Sequence, residues 1–201
     1  MRTFSPIIAA ALLLVPVAVP AQAPAPPQPT RGTIQSLQND KLTLKTDDGQ
    51  IQTITLAPQW GVSVLKRVEV SAIQPGSFIG TAEMPQQGNT GRSLEVHVFP
   101  PGQKGGEGHY PWNLKQGSMM TNGTVGKVTE GAKGRELLVS YPNGERKIIV
   151  PPGVPIVQMS NGERAQIKPG LPAFLLAGKA PDGTLTANFI AIGENGSKPP
   201  M

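Results

Sequence analysis

The sequence predicts an all-β protein: two tandem small antiparallel β-barrels joined by an ordered connector, after a cleaved signal peptide. Three observations carry this. Two stretches repeat one order of landmarks at one spacing, the apolar residues alternate with polar ones between turn signals, and no segment holds a helical period for more than about two turns. Arg31-Gly32-Thr33-Ile34 answers to Asn122-Gly123-Thr124-Val125, Asp48-Gly49 to Asn143-Gly144, and Ile73-Gln74-Pro75-Gly76 to Ile167-Lys168-Pro169-Gly170, at offsets of 91, 95 and 94 residues.

Residues 1–21 read as the signal. Arg2 gives the positive start, Ile7 to Val19 the apolar stretch, and Val19-Pro20-Ala21 the small-residue cleavage pattern. The stretch contains Pro16 and is too short to span about 30 Å of hydrocarbon as an anchor, so the mature chain is expected to have no membrane span and to be periplasmic or secreted. Residues 22–30 are a Pro/Ala/Gln leader of extended, flexible character.

The first repeat covers residues 31–99. Leu42-Thr43-Leu44-Lys45-Thr46, the turn Asp47-Asp48-Gly49 and Ile51-Gln52-Thr53-Ile54-Thr55-Leu56 make a hairpin by periodicity and by turn chemistry. The second repeat, residues 122–193, answers with Glu136 to Tyr141, a turn at Asn143-Gly144 and Arg146 to Val150. Each copy then meets a Pro/Gly break (Pro58 to Gly61; Pro151-Pro152-Gly153) and a short apolar piece (Val62 to Leu65; Val154 to Val157). After Ile-x-Pro-Gly come Ser77 to Ala82 or Ala173 to Ala177, and a closing strand, Leu94 to Val98 or Leu185 to Ile190. Gly162 to Gln166 is the one place suited to a helical turn. Residues 194–201 form a flexible tail. Five or six short strands in roughly 70 residues fit a closed barrel, which removes exposed edges. Each copy is small for independent stability, and docking of the two follows.

These landmarks resemble small exported bacterial β-barrel domains of unknown function, OB-like in outline. The connector motif Gly105-Gly106-Glu107-Gly108-His109-Tyr110-Pro111-Trp112 with Ser118-Met119-Met120-Thr121-Asn122-Gly123 is similar to one tandem subgroup, whose members often carry the label metal ABC transporter permease. The resemblance implies an OB-like fold and an exported location.

Composition narrows the chemistry. There is no cysteine, which excludes disulfides, thiolate metal sites and cysteine nucleophiles. Without Arg2, 17 basic residues stand against 13 acidic ones, a mild net charge of +4 whose scattered distribution reads as solvated surface. Strand aromatics are too few for base stacking, and export separates the chain from cytoplasmic nucleic acid, so no nucleic-acid partner is expected. No G-x-S-x-G and no phosphate loop in the right context is present, so an enzyme is not expected either.

The connector, residues 100–121, concentrates His109, Tyr110, Trp112, Met119 and Met120. Aromatics repay ordering only when buried or bound, so Tyr110 and Trp112 are expected to clasp the connector onto a barrel, and this surface is the candidate contact for an unknown protein or cell-envelope partner. A metal site is the alternative. Strand alternation turns Glu95, His97 and Phe99 away from the core side of Leu94, Val96 and Val98. Folding Glu107 and His109 back onto Glu95 and His97 would gather imidazole and carboxylate ligands, with Met119 and Met120 adding the soft thioethers that favour copper.

Overall fold

A computed structural model describes residues 26–201; the expected signal peptide and the start of the leader lie outside the described residues. The chain is all-β. Its strands are β1 (Gln28–Gln38), β2 (Lys41–Thr46), β3 (Ile51–Arg67), β4 (Phe78–Gln86), β5 (Thr90–Ser93), β6 (Val96–Val98), β7 (Gly108–Pro111), β8 (Met119–Gly131), β9 (Gly134–Tyr141), β10 (Gly144–Val150), β11 (Ile156–Gly162), β12 (Pro172–Lys179) and β13 (Leu185–Gly193). Among the described residues no helix is long and apolar enough to cross a membrane.

Strand alternation sets each core. Leu42 and Leu44 of β2 turn inward between exposed or half-buried neighbours, and they join Ile34, Ile54, Leu56, Leu175, Ile190 and Ile192 in one cluster. Each such side chain contributes about 1.5–3 kcal/mol by leaving water. A second cluster gathers Ile73, Ile79, Val96, Val98, Val125, Leu137, Val139 and Ile148.

Hydrogen bonding closes β1, β2, β3, β13 and β12 into a five-stranded barrel around the first cluster, with β13 parallel to β3. The remaining strands include a second closed run of pairings, β4 to β5 to β10 to β9 to β8 and back to β4. Neither run follows the repeat boundaries. The meander β1–β3 of the first repeat is completed by β12 and β13 of the second, and the meander β8–β10 is completed by β4 and β5 of the first. The expectation that residues 31–99 and 122–193 each pair within themselves is thus corrected: periodicity dictates which face of a strand is buried, not which strand lies beside it.

Two motifs of the repeat explain the exchange. Gly32 and Gly123 pass so close to the neighbouring strand that an added Cβ would fall 2.2 Å from the Lys45 carbonyl oxygen or 2.4 Å from that of Ser140. Two residues later, at Ile34 and Val125, each ladder slips by one residue. The freed backbone groups are taken by the Ile-x-Pro-Gly step of the opposite repeat: Gly170 N–H donates to Ile34 O (2.8 Å) and Gly76 N–H to Val125 O (2.7 Å). Both glycines sit at φ +87°, a conformation that other residues resist.

Local expectations are met at β2, β9, β10, β12 and β13. The break at Pro58 to Gly61 does not end its strand; β3 runs on, and its register against β13 slips between Leu56 and Gly61. The side chain of Arg164 closes this gap, donating to Pro58 O and Trp60 O while its guanidinium lies 4.6 Å from the Trp60 ring centroid. Arg164–Gln166 is the foreseen turn, shortened to 3-10 and fixed by a capping box between Glu163 and Gln166. The expected Asn143-Gly144 tip is a Pro142-Asn143 loop without positive φ at Asn143, and Pro142, its own φ locked at about −65°, excludes the primed turns that need positive φ at the first loop position. The expected flexible tail packs instead: Met201 is buried, and Arg31 Nε donates to its carbonyl oxygen at 2.7 Å.

Candidate functional site

The strand β4 lies between β6 and β8, and its two faces differ. Gly80 pairs with His97 on one side and Asn122 on the other, and Asn122 pairs with Gly108 of β7. One residue along, Thr81 pairs with Thr121, which pairs with His109. Successive residues of a strand point to opposite faces. His97 and His109 therefore project from opposite faces of one sheet.

On the face of Thr81 and His109 the polar groups are buried within the second run of strands. Glu83 is fully buried and accepts from Arg146 Nε. Burial pushes the Glu83 carboxyl up, and Arg146 pulls it back. His109 Nδ1 lies 2.9 Å from Thr121 Oγ1, and its ring stacks on Tyr141. Burial, then the charge of Arg146, lowers its basicity. Thr121 is fully buried, and neither it nor His109 lines the cavity on the other face.

The face of Gly80 opens on a cavity of about 410 Å³ between the outer faces of the two strand runs. Phe174, Leu176, Phe189 and Ala191 turn outward from the barrel, opposite the core residues Leu175 and Ile190, and form one wall. Phe99, Tyr110, Trp112 and Met120 form the other, with Met159 and Met201 beside them. The rings run in contact from the connector to the barrel: Tyr110 to Trp112, Trp112 to Phe174 and Phe174 to Phe189, each with centroids 6.2 Å apart. Burial raises the Tyr110 phenol.

Its floor is polar. Glu95, fully buried, accepts from the Ala82 amide with Oε1 (2.7 Å) and lies 3.1 Å from His97 Nδ1 with Oε2. The carboxylate orients the ring and leaves Nε2 free. Asn122 Nδ2 donates to Gly106 O and to Tyr110 Oη, both at 2.9 Å, which fixes the amide and leaves Oδ1 buried without a partner. A Cβ on Gly80 would lie 2.1 Å from His97 Nε2 and 2.3 Å from Asn122 Oδ1, so at most their sum, 4.4 Å, separates the two atoms. Only glycine leaves room for them.

Of the residues singled out from sequence, Glu95, His97, Tyr110, Trp112 and Met120 gather here. Glu107 is exposed, and His109 and Met119 belong to the opposite face. The folding back of Glu107 and His109 onto Glu95 and His97 is thus corrected; β7 pairs with β8 in a register that sends His109 the other way. Among the described residues no group of three or more His, Cys, Asp or Glu is placed to hold a metal ion. Asn122, Phe174, Phe189, Met159 and Met201 were not foreseen. Strand alternation alone could have marked Phe174 and Phe189 as outward, since each neighbours core residues on the other face.

The arrangement is that of an all-β protein with an aromatic cavity beside a closed five-stranded barrel. Compared with known proteins, the chain matches no family model, no curated protein and no solved structure.

Proposed function

We propose that this is an exported, periplasmic or secreted, non-enzymatic binding module whose ligand site is the cavity between the two strand runs. On this reading the second run of pairings is a second small barrel, and the two barrels share strands from both repeats. The observation that carries the proposal is the floor of the cavity: a buried amide oxygen without a partner lies beside the Nε2 edge of a carboxylate-oriented imidazole beneath aromatic walls. A few placed polar groups in a largely apolar concavity of this size suit a small molecule. The surface offers less, because Ile51 is the one large apolar side chain exposed among the described residues. The non-enzymatic reading is supported by the partner of His97, which is the carboxyl of Glu95 rather than a hydroxyl nucleophile.

Native mass spectrometry of the mature protein, purified from the periplasm without a histidine tag, tests this reading. A retained small molecule supports it. A bare mass, together with unchanged thermal stability across a metabolite library, contradicts it.

A second reading is a soft metal ion, copper(I), favoured by the thioethers of Met120, Met159 and Met201 lining the same cavity as His97. Calorimetry with silver(I) and zinc separates the two: tight silver(I) binding lost in Met120→Leu supports the metal, and none excludes it.

A further inference from the structure

We infer that the ligand is a small molecule with a ring-bearing apolar body and a hydrogen-bond-donating head, the head seated between His97 Nε2 and Asn122 Oδ1. The inference rests on the cavity being the binding site and adds the chemistry of what fills it.

Two facts fix the polarity of the floor. Both Asn122 amide hydrogens are committed, to Gly106 O and Tyr110 Oη, so the atom facing Gly80 is the oxygen. His97 Nδ1 faces the Glu95 carboxyl at 3.1 Å, and in the tautomer that places the ring proton there Nε2 presents a lone pair. Two acceptors at most 4.4 Å apart, one of them fully buried and unpartnered, call for a donor between them. Among the described residues none hydrogen-bonds to the Asn122 oxygen. Asn122 itself is 6% exposed, so the oxygen is aimed into the cavity rather than into solvent.

The walls select the body. Phe99, Tyr110, Trp112, Phe174 and Phe189 present rings, which prefer flat apolar partners and also tolerate a cation against their faces. An anionic head meets the wrong partners, because behind His97 stands the buried Glu95 carboxylate. Lys104 lines the cavity, but its ammonium is held over the Phe78 ring, 5.6 Å from the centroid, and Phe78 stands outside the lining. A neutral hydroxyl and an ammonium share the donor chemistry, and they are told apart by experiment.

The test is a titration of the mature protein with four probes of one shape: benzyl alcohol, benzylamine, toluene and benzoate. Benzyl alcohol or benzylamine should bind about tenfold more tightly than toluene, the scale on which an unmet buried acceptor discriminates, with benzoate weakest. The stronger of the first two shows whether the head is neutral or charged. In Asn122→Ala the preference over toluene should shrink toward unity. The wild-type comparison alone keeps the inference falsifiable should that variant not fold. Equal binding of all four, strongest binding of benzoate, or a preference retained in Asn122→Ala overturns the donor head while leaving the cavity a binding site. No binding by any probe also overturns it, and the cavity reading then falls only if native mass spectrometry finds no ligand.

Discussion

Gly170 donates its amide to the carbonyl oxygen of Ile34 at 2.8 Å, and this bond ties the second repeat to the first. Its counterpart between Gly76 and Val125 does the reverse at 2.7 Å. Ile34 and Val125 also donate, to Leu171 O and Ser77 O, both at 2.9 Å. The two Ile-x-Pro-Gly steps are therefore reciprocal staples. Replacing either glycine by alanine forces a Cβ into the left-handed region at a cost of about 1–2 kcal/mol. Gly76→Ala and Gly170→Ala should lower the urea midpoint by similar amounts, since the surroundings of both positions are open.

The exchange of strands also predicts the behaviour of a divided chain. Cut in the connector, fragments 26–104 and 105–201 should each lack a native near-ultraviolet circular dichroism spectrum and regain it when mixed. In each, the three-stranded meander has lost the two strands that close it. A fragment with the full native signal as a monomer would mean that the repeats close on themselves.

Trp112 touches both parts of the cavity wall but remains partly exposed. Trp112→Ala should cost about 2 kcal/mol, below the range for a fully buried aromatic, and Trp112→Phe should recover much of it. Equilibrium denaturation gives the values.

The opposite face should govern the response to acid. With its folded pKa held below the ordinary 6.5, His109 binds fewer protons in the folded state than in the unfolded one. Its stabilising effect is complete above pH 6.5 and lost as pH falls through the folded value. His109→Gln should flatten that part of the curve of melting temperature against pH. Glu83 has the other sign: raised above 4.5, it makes the fold less stable as pH rises through its own window. Arg146→Met, which strands a buried carboxylate, should lose about 3–5 kcal/mol at neutral pH, and Glu83→Leu combined with it should restore part.

What could be read from the sequence was local. The hairpins of β2 with β3 and of β9 with β10, the turn at Arg164 and the outward aim of His97 all follow from the order of neighbouring residues. Strand partners did not. The alternation in β1 is satisfied equally by a wall from its own repeat or from the other, and only the slipped ladder at Ile34 with its Gly170 bond decides. His109 was misplaced for the same reason, because a single register against β8 chooses its face. Asn122 was recognised as a repeat landmark, yet its chemistry depends on Gly106, Tyr110 and Gly80, which the fold brings together from the connector loop and two other strands, β7 and β4.

The claim that the cavity is the ligand site is tested most directly by the methionine methyl groups. Of the five methionines in the described chain, Met120, Met159 and Met201 line the cavity, whereas Met84 and Met119 do not. In protein labelled with carbon-13 at the methionine methyls, titration with benzyl alcohol should shift the first three resonances and leave the last two in place. Shifts confined to Met84 and Met119, or no shift at any of the five with benzyl alcohol or benzylamine, would contradict the account.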